Sequence, residues 1–221
     1  MRKLTSFISL FLLGVVAFAQ DSGAASILDK VAKNYEGLSS FTAKLTYNLE
    51  VTSNPDLNEK MTFDFKSKGS KFYAKQSDGE EFYCNGTYIW NIFDGEGTKT
   101  DYDTEDSPMP VDLDEVLSSY KENYKYVLKQ NETVGGIECN VIDLEPKKSA
   151  EDMATSDVFK IRLLIDPKTY DVKQFIVFER NGNRHKFRFD SFKKNIALSD
   201  SIFTFDEASH PDVIVEDLTE D

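Results

Sequence analysis

Two histidines, two cysteines and one dense run of carboxylates are the residues whose chemistry could go beyond packing. Nucleophilic catalysis needs a base beside its nucleophile, and His185 and His210 are the only imidazoles available. His185 stands among charged residues in a strand-like run, and His210 precedes Pro211 in a loop-like one. No nucleophile elbow accompanies either. Cys84 and Cys139 each fall in a strand-like run. They admit two readings, a disulfide or two ordinary buried thiols. Neither they nor the histidines show the spacing of a zinc motif. The stretch "DYDTEDSPMPVDLDE" from Asp101 to Glu115 holds seven acidic residues, two prolines and no base. It has oxygen ligands for calcium but not the EF-hand order, with its central glycine and terminal glutamate, so a solvated loop running into a helix is expected. Gly135-Gly136 and Gly95-x-Gly97 read as turn glycines, not as a phosphate-cradling loop. The expectation is a protein that is not an enzyme, with no catalytic residues, no cofactor and no metal.

What remains is aromatic mass, and the elements that carry it. The chain opens with "MRKLTSFISLFLLGVVAFA", a basic start, an apolar run and a small-x-small end. That pattern predicts a secretory signal peptide over residues 1–19 and a single domain over 20–221. The apolar run is short for a membrane span. Without the leader, 24 basic face 39 acidic residues, a formal charge of −15 that repels nucleic acid and anionic lipid at long range. Solubility is the plain reading of that charge, and a preference for basic partners is the other. The remaining chain holds 14 Phe, 10 Tyr and the single Trp90.

Ile27, Leu28, Val31, Ala32 and Tyr35 recur at helical spacing and predict a helix over 22–38. The period then falls to two. In "FTAKLTYNLEV", Phe41, Ala43, Leu45, Tyr47 and Leu49 point one way and polar residues the other, the pattern of a strand with one wet face. Similar runs continue almost to the end, joined by Asn85-Gly86, Asp166-Pro167 and Asn181-Gly182 turns, with Phe159, Ile161, Leu163 and Ile165 expected on one face. A second short helix is expected in "VDLDEVLSSY". The stretch "TYIWNIF" is apolar on both sides, so its alternation does not say which face meets the core. A curved sheet or barrel has an interior that can hold either side chains or a lipid, and Trp90 is either a core anchor or a cavity wall.

The order of these segments matches a known pattern. An amphipathic helix ending in "NYEGLSSFTAKLTYNLE" is followed by "FDFKSKGSKFYAKQ", "CNGTYIWNIFDGEG", "GGIECNVIDLEPK", "LLIDPKTYDVKQFIVFERNGN" and "LSDSIFTFDEASHPDVIV". Together they resemble the periplasmic outer-membrane lipoprotein carrier family, LolA. The resemblance implies a mainly β (α+β) fold, an incomplete, strongly curved antiparallel β-barrel of about ten or eleven strands under a helical lid. It implies a periplasmic monomer that shields the acyl chains of lipoproteins and shuttles them from the inner to the outer membrane. Its partners would be acylated lipoproteins, an inner-membrane release complex and an outer-membrane acceptor, with no nucleic acid. An envelope lipid or lipoprotein sensor on the same fold is the alternative, and an exported hydrolase with a polar cleft a third. Carried onto this chain, the acyl cavity would draw on Phe63, Phe65, Phe72, Trp90, Phe187 and Phe189. The family often has "RPxxF" after an early strand. Here "KGSKF" puts Lys68 at the position of the arginine that helps hold the lid shut, with the charge kept and the planar fork lost.

Overall fold

The computed structural model describes residues 21–102, 113–147 and 157–219. The predicted leader, most of the acidic stretch and the polar segment around residue 150 lie outside the described residues. Helix α1 spans Ser22–Tyr35. Its N-terminus is fixed by Asp21, whose carboxylate accepts from the Gly23 and Ala24 N–H groups at 2.9 and 3.2 Å. Helix α2 spans Leu113–Asn123. Ala24, Leu28, Val31 and Tyr35 of the first and Val116, Leu117 and Tyr120 of the second are buried. Tyr120 also donates from its hydroxyl to Asp29 at 2.7 Å, which ties the two helices together.

Apart from short 3-10 turns at Pro55–Leu57, Asp200–Phe203 and Glu207–Ser209, the other regular elements of the described residues are strands: β1 (Ser40–Glu50), β2 (Glu59–Lys68), β3 (Lys71–Gln76), β4 (Glu81–Cys84), β5 (Tyr88–Phe93), β6 (Glu96–Asp101), β7 (Tyr124–Val134), β8 (Ile137–Pro146), β9 (Val158–Ile165), β10 (Val172–Glu179), β11 (Arg184–Lys194) and β12 (Ile214–Asp217). They form one open, twelve-stranded sheet in the order β12-β6-β5-β4-β3-β2-β1-β11-β10-β9-β8-β7. Neighbours are antiparallel except β12, which runs parallel to β6. The strand count exceeds the expectation because "EGTKTD" forms β6 although it carries no large apolar residue. The Asp94-Gly95 turn places it, with both residues at positive φ, 50° and 81°, as a tight hairpin requires.

The helices pack on one face, here the inner face. Ala43 and Leu45 of β1 share one cluster there with Ile142 and Leu144 of β8, Ile161, Leu163 and Ile165 of β9, Phe175 and Val177 of β10, and Phe187 and Phe189 of β11. Phe175 and Phe187 stack at 4.5 Å and 13° in its middle. Burying a Leu, Val or Phe side chain is worth about 1.5–3 kcal/mol, so this cluster anchors the sheet and both helices. One expected alignment differs. A register shift between β9 and β10 at Phe178/Glu179 turns Val158 into the cluster, and Phe159 is left 39% exposed, against Phe178 at 6.3 Å.

Both cysteines are free and buried. Cys84 pairs across from Phe72 on the inner face, whereas Cys139 packs with Val141, Leu164 and Ile176 in a separate outer cluster. Six strands separate β4 from β8 in the sheet, so of the two readings the structure keeps the pair of buried thiols. Burial pushes both thiols up, which makes them poor nucleophiles.

Candidate lipid-binding face

Cross-strand pairing decides which residues share the inner face with the helices. Leu45 stands opposite Phe63 and Ala43 opposite Phe65. Phe65 stands opposite Ala74, and Phe72, two residues before Ala74, opposite Cys84. Phe82 and Cys84 in turn face Asn91 and Ile89. Phe41, Phe63, Phe65, Phe72, Phe82, Ile89 and Asn91 therefore lie on one surface, all half-buried. Phe63 and Phe65 reach the edge of the helix-covered cluster, and no described residue of β3 to β6 belongs to it. The helices thus cover one half of the inner face, from β7 to β1.

Rings cross the boundary without a break. Tyr35 of α1 stacks on Phe192 at 5.8 Å, Phe192 meets Phe41 at 5.2 Å, Phe41 stacks on Phe65 at 5.6 Å, and Phe65 on Phe72 at 5.9 Å. Tyr102 closes the series edge-on to Phe72 at 5.9 Å. A branch runs inward from Phe192 through Phe189 to Phe175 and Phe187. Such a row offers polarisable, apolar surface with no hydrogen bond to satisfy, and this is what a methylene chain can lie against.

Of the six residues expected to form an acyl cavity, the structure brings Phe63, Phe65 and Phe72 together on the half-buried part of this face. Phe187 and Phe189 lie on the same face but inside the sealed cluster beneath the helices. Trp90 is elsewhere, and this corrects the expectation. It stands opposite Tyr83, one residue out of step with Phe82 and Cys84, and so on the outer face. There it is 5% exposed, and its indole N–H has no hydrogen-bond partner among the described residues. Tyr83 packs edge-on against Phe205 at 5.5 Å, in a strap of chain after β11 that also buries Phe203. Trp90 thus lies on the side of the sheet against which the strap packs through Tyr83.

Lys68 also belongs to the strap. Its ammonium donates to the Leu198 carbonyl at 3.2 Å and to the Asp200 carboxylate at 2.7 Å, and Lys71 reaches the other Asp200 oxygen at 2.8 Å. Its described partners thus lie in the strap rather than in α1 or α2, so the expected lid coupling is replaced by coupling to the C-terminal segment. The hydrogen bonds from Lys68 and Lys71 hold the Asp200 carboxyl down at about 2. A depressed carboxyl stabilises the fold above its unfolded value near 3.8 and loses that contribution as pH falls through about 2. We expect the strap to stay seated at pH 5 and to loosen on acidification below about pH 4. Emission from the only tryptophan, which lies opposite Tyr83, reads this out. Asp200→Asn should loosen the strap already at neutral pH, seen as several-fold faster amide exchange at Phe203 and Phe205. Unchanged exchange in that variant would remove Lys68 from the anchoring role.

The histidines have ordinary partners. His185 lies between the Tyr47 hydroxyl at 2.9 Å and the Glu179 carboxylate at 3.0 Å. Tyr47 is pushed up by burial first and by Glu59 and Glu179 next, which holds its hydroxyl protonated. His210 bonds the Asp206 carbonyl at 2.8 Å and stacks on Phe205 at 4.9 Å. Among the described residues, no group of three or more His, Cys, Asp or Glu side chains is placed to hold a metal ion.

An open, curved sheet with helices over half of one face is the incomplete-barrel class of protein. Residues 117–206, from α2 through β11 to the strap, match the family model described as "Outer membrane lipoprotein carrier protein LolA". Over that segment, less than half of the chain, this protein is similar to that family. Among solved structures, the Mycobacterium tuberculosis lipoprotein LppX is 14% identical, with a TM-score of 0.52 over 79% of this chain and 98% of that one. An uncharacterized conserved protein from Thermus thermophilus is 11% identical, with a TM-score of 0.51 over 87% and 98%. A LolA superfamily protein from Nitrosomonas europaea is 13% identical, with a TM-score of 0.40 over 82% and 97%. At these identities the likeness is one of fold. No curated protein sequence matches the chain.

Proposed function

We propose that this protein is a carrier for acyl chains. It shields the lipid of acylated lipoproteins on the inner face of its sheet and moves them from the inner to the outer membrane. One observation carries the reading: the aromatic row passes from the sealed cluster onto a half of the sheet that the helices leave uncovered. An acyl chain in water costs about 0.8 kcal/mol per methylene, so a lipoprotein cannot cross an aqueous space unshielded. The task requires apolar surface inside, charge outside and an opening, and no catalytic group. The cargo class comes from the matched family model. The expected leader implies export, and the matched family supports the periplasm as the place of work, with residues 20–221 acting as one monomeric domain. No helix among the described residues is long and apolar enough to cross a membrane.

The test is transfer. The purified protein is incubated with inner-membrane vesicles holding a triacylated lipoprotein and their release complex, then with outer-membrane vesicles. A soluble one-to-one complex, followed by appearance of the lipoprotein in the second membrane, is the expected result. Binding without delivery would favour a sensor on the same fold. If cargo never leaves the first membrane and never co-purifies, the carrier reading is wrong.

A further inference from the structure

The outer face carries a hollow of about 430 Å³ on β3, β2, β1 and β11. Cross-strand pairing arranges its walls in two rows. Thr42 has Lys193 on one side and Lys66 on the other. One step along, Lys44 stands beside Asp64, and Asp64 beside Lys75. The β1–β11 register shifts just after Lys44, where its N–H bonds the Ser191 hydroxyl at 3.2 Å. Such a bulge bends the strand and re-aims neighbouring side chains.

Four lysines and one aspartate thus line one hollow in a chain whose net charge is −13. Not all of that charge is spent. Lys75 is paired with Glu81 at 2.5 Å, and Lys66 lies 4.9 Å over the Tyr73 ring. Lys44 and Lys193 have no carboxylate within salt-bridge distance among the described residues. Asp190, which Lys44 influences from further away, is taken up by Arg188 at 2.7 Å and Thr46 at 2.5 Å. The Thr42 hydroxyl has no hydrogen-bond partner among the described residues. Adjacent strands lie about 4.8 Å apart, so three flexible ammonium groups can converge over that hydroxyl.

We propose that this hollow binds a small phosphate-type anion, free phosphate or a soluble phosphate monoester. Lys44, Lys66 and Lys193 would donate to it with the Thr42 hydroxyl. The argument for a small ligand is electrostatic. Other cations of this face are paired, Lys68 and Lys71 with Asp200, Lys186 with Glu50 and Arg188 with Asp190, and screening limits the reach of the hollow's own charge to about 8 Å at physiological salt. A bilayer of anionic lipid would meet a chain of net charge −13 and be repelled at longer range. An anion that fits inside the hollow meets only the lysines. The site faces away from the aromatic row, so its failure would leave the carrier reading untouched.

Heteronuclear NMR titration of the protein with inorganic phosphate and with glycerol 3-phosphate, at about 0.15 M salt, tests the proposal. The expected result is saturable one-to-one binding, with amide shifts centred on Thr42, Lys44, Lys66 and Ser191. The double variant Lys66→Gln/Lys193→Gln should bind at least tenfold more weakly. Lys30→Gln, a lysine on α1, should bind as the parent does. Thr42→Val, which keeps shape and charge, should cost at least threefold. Equal affinity in the double variant, or shifts scattered over all surface lysines, would overturn the site. So would adsorption to phosphatidylglycerol vesicles that soluble phosphate does not compete away, since that would make the hollow a bilayer contact.

Discussion

Phe65→Glu should abolish acyl-chain binding while leaving the fold in place. Phe65 is a half-buried ring inside the row, stacked on Phe41 at 5.6 Å and on Phe72 at 5.9 Å. A chain lying along the row must cover it. Losing one buried phenyl contact removes about 1.5–3 kcal/mol, roughly 10- to 100-fold in affinity. A carboxylate there adds the cost of stripping its water against the lipid, so the loss should sit at or above the upper end of that range. The ring pairs are worth about 0.5–1.5 kcal/mol each, so the variant should be somewhat less stable than the parent and still folded at 25 °C. The measurement is anisotropy of a fluorescent palmitoylated peptide, with circular dichroism as the check on folding. Phe65→Leu, which keeps the apolar surface, should bind within a few-fold of the parent. Equal binding by Phe65→Glu would show that the cargo lies elsewhere.

Trp90 supplies the counterpart. It is the bulkiest aromatic residue of the chain, yet it faces Tyr83 and the strap side of the sheet. Trp90→Phe should therefore leave peptide binding within twofold of the parent. A tenfold loss would mean that the two faces communicate through β5.

The sheet face of Phe63 and Phe65 is legible in the sequence and that of Trp90 is not, for a physical reason. Strand β1 alternates apolar and polar residues because one of its faces is wet, so its inner side is legible, and β2 inherits the same parity by pairing. Strand β5 is apolar on both sides, and on its outer side Trp90 stands opposite Tyr83, against which a distant segment packs Phe205. No local pattern announces a strap that arrives more than a hundred residues later. The parallel pairing of β12 with β6 is hidden for the same reason, and β6 itself lacks the apolar period and is marked only by its turn. The two helices were legible because their apolar faces repeat at helical spacing. Lys68 marks where resemblance was insufficient. Its position suggested a lid contact, but a lysine's partner depends on which chain segment passes within reach, and here that segment is the strap.

The largest effect on stability should come from a charged pair rather than from a phenylalanine. Asp143 on β8 is 3% exposed, and Arg162 stands directly opposite it on β9. The guanidinium grips both carboxylate oxygens, at 2.6 and 3.0 Å, and spends a third N–H on Glu132 at 2.9 Å. Removing the arginine leaves a buried carboxylate with Lys160 3.9 Å away, too far for a hydrogen bond. Breaking such a pair from one side costs about 3–5 kcal/mol, and Lys160 should hold Arg162→Ala near the lower figure. Replacing both partners by apolar residues leaves no orphan charge. Asp143→Leu with Arg162→Met should therefore recover most of the loss and approach the parent's stability. Urea unfolding of the two single variants and the double variant separates the cases, provided the slope stays constant. If Arg162→Ala costs less than about 1 kcal/mol, the pair behaves as a surface ion pair and water reaches Asp143. Lys160 carries a further prediction inside the same cycle. Adding Lys160→Gln to Arg162→Ala should deepen the loss, whereas in the double apolar variant it should have little effect, because the carboxylate it answers to is gone.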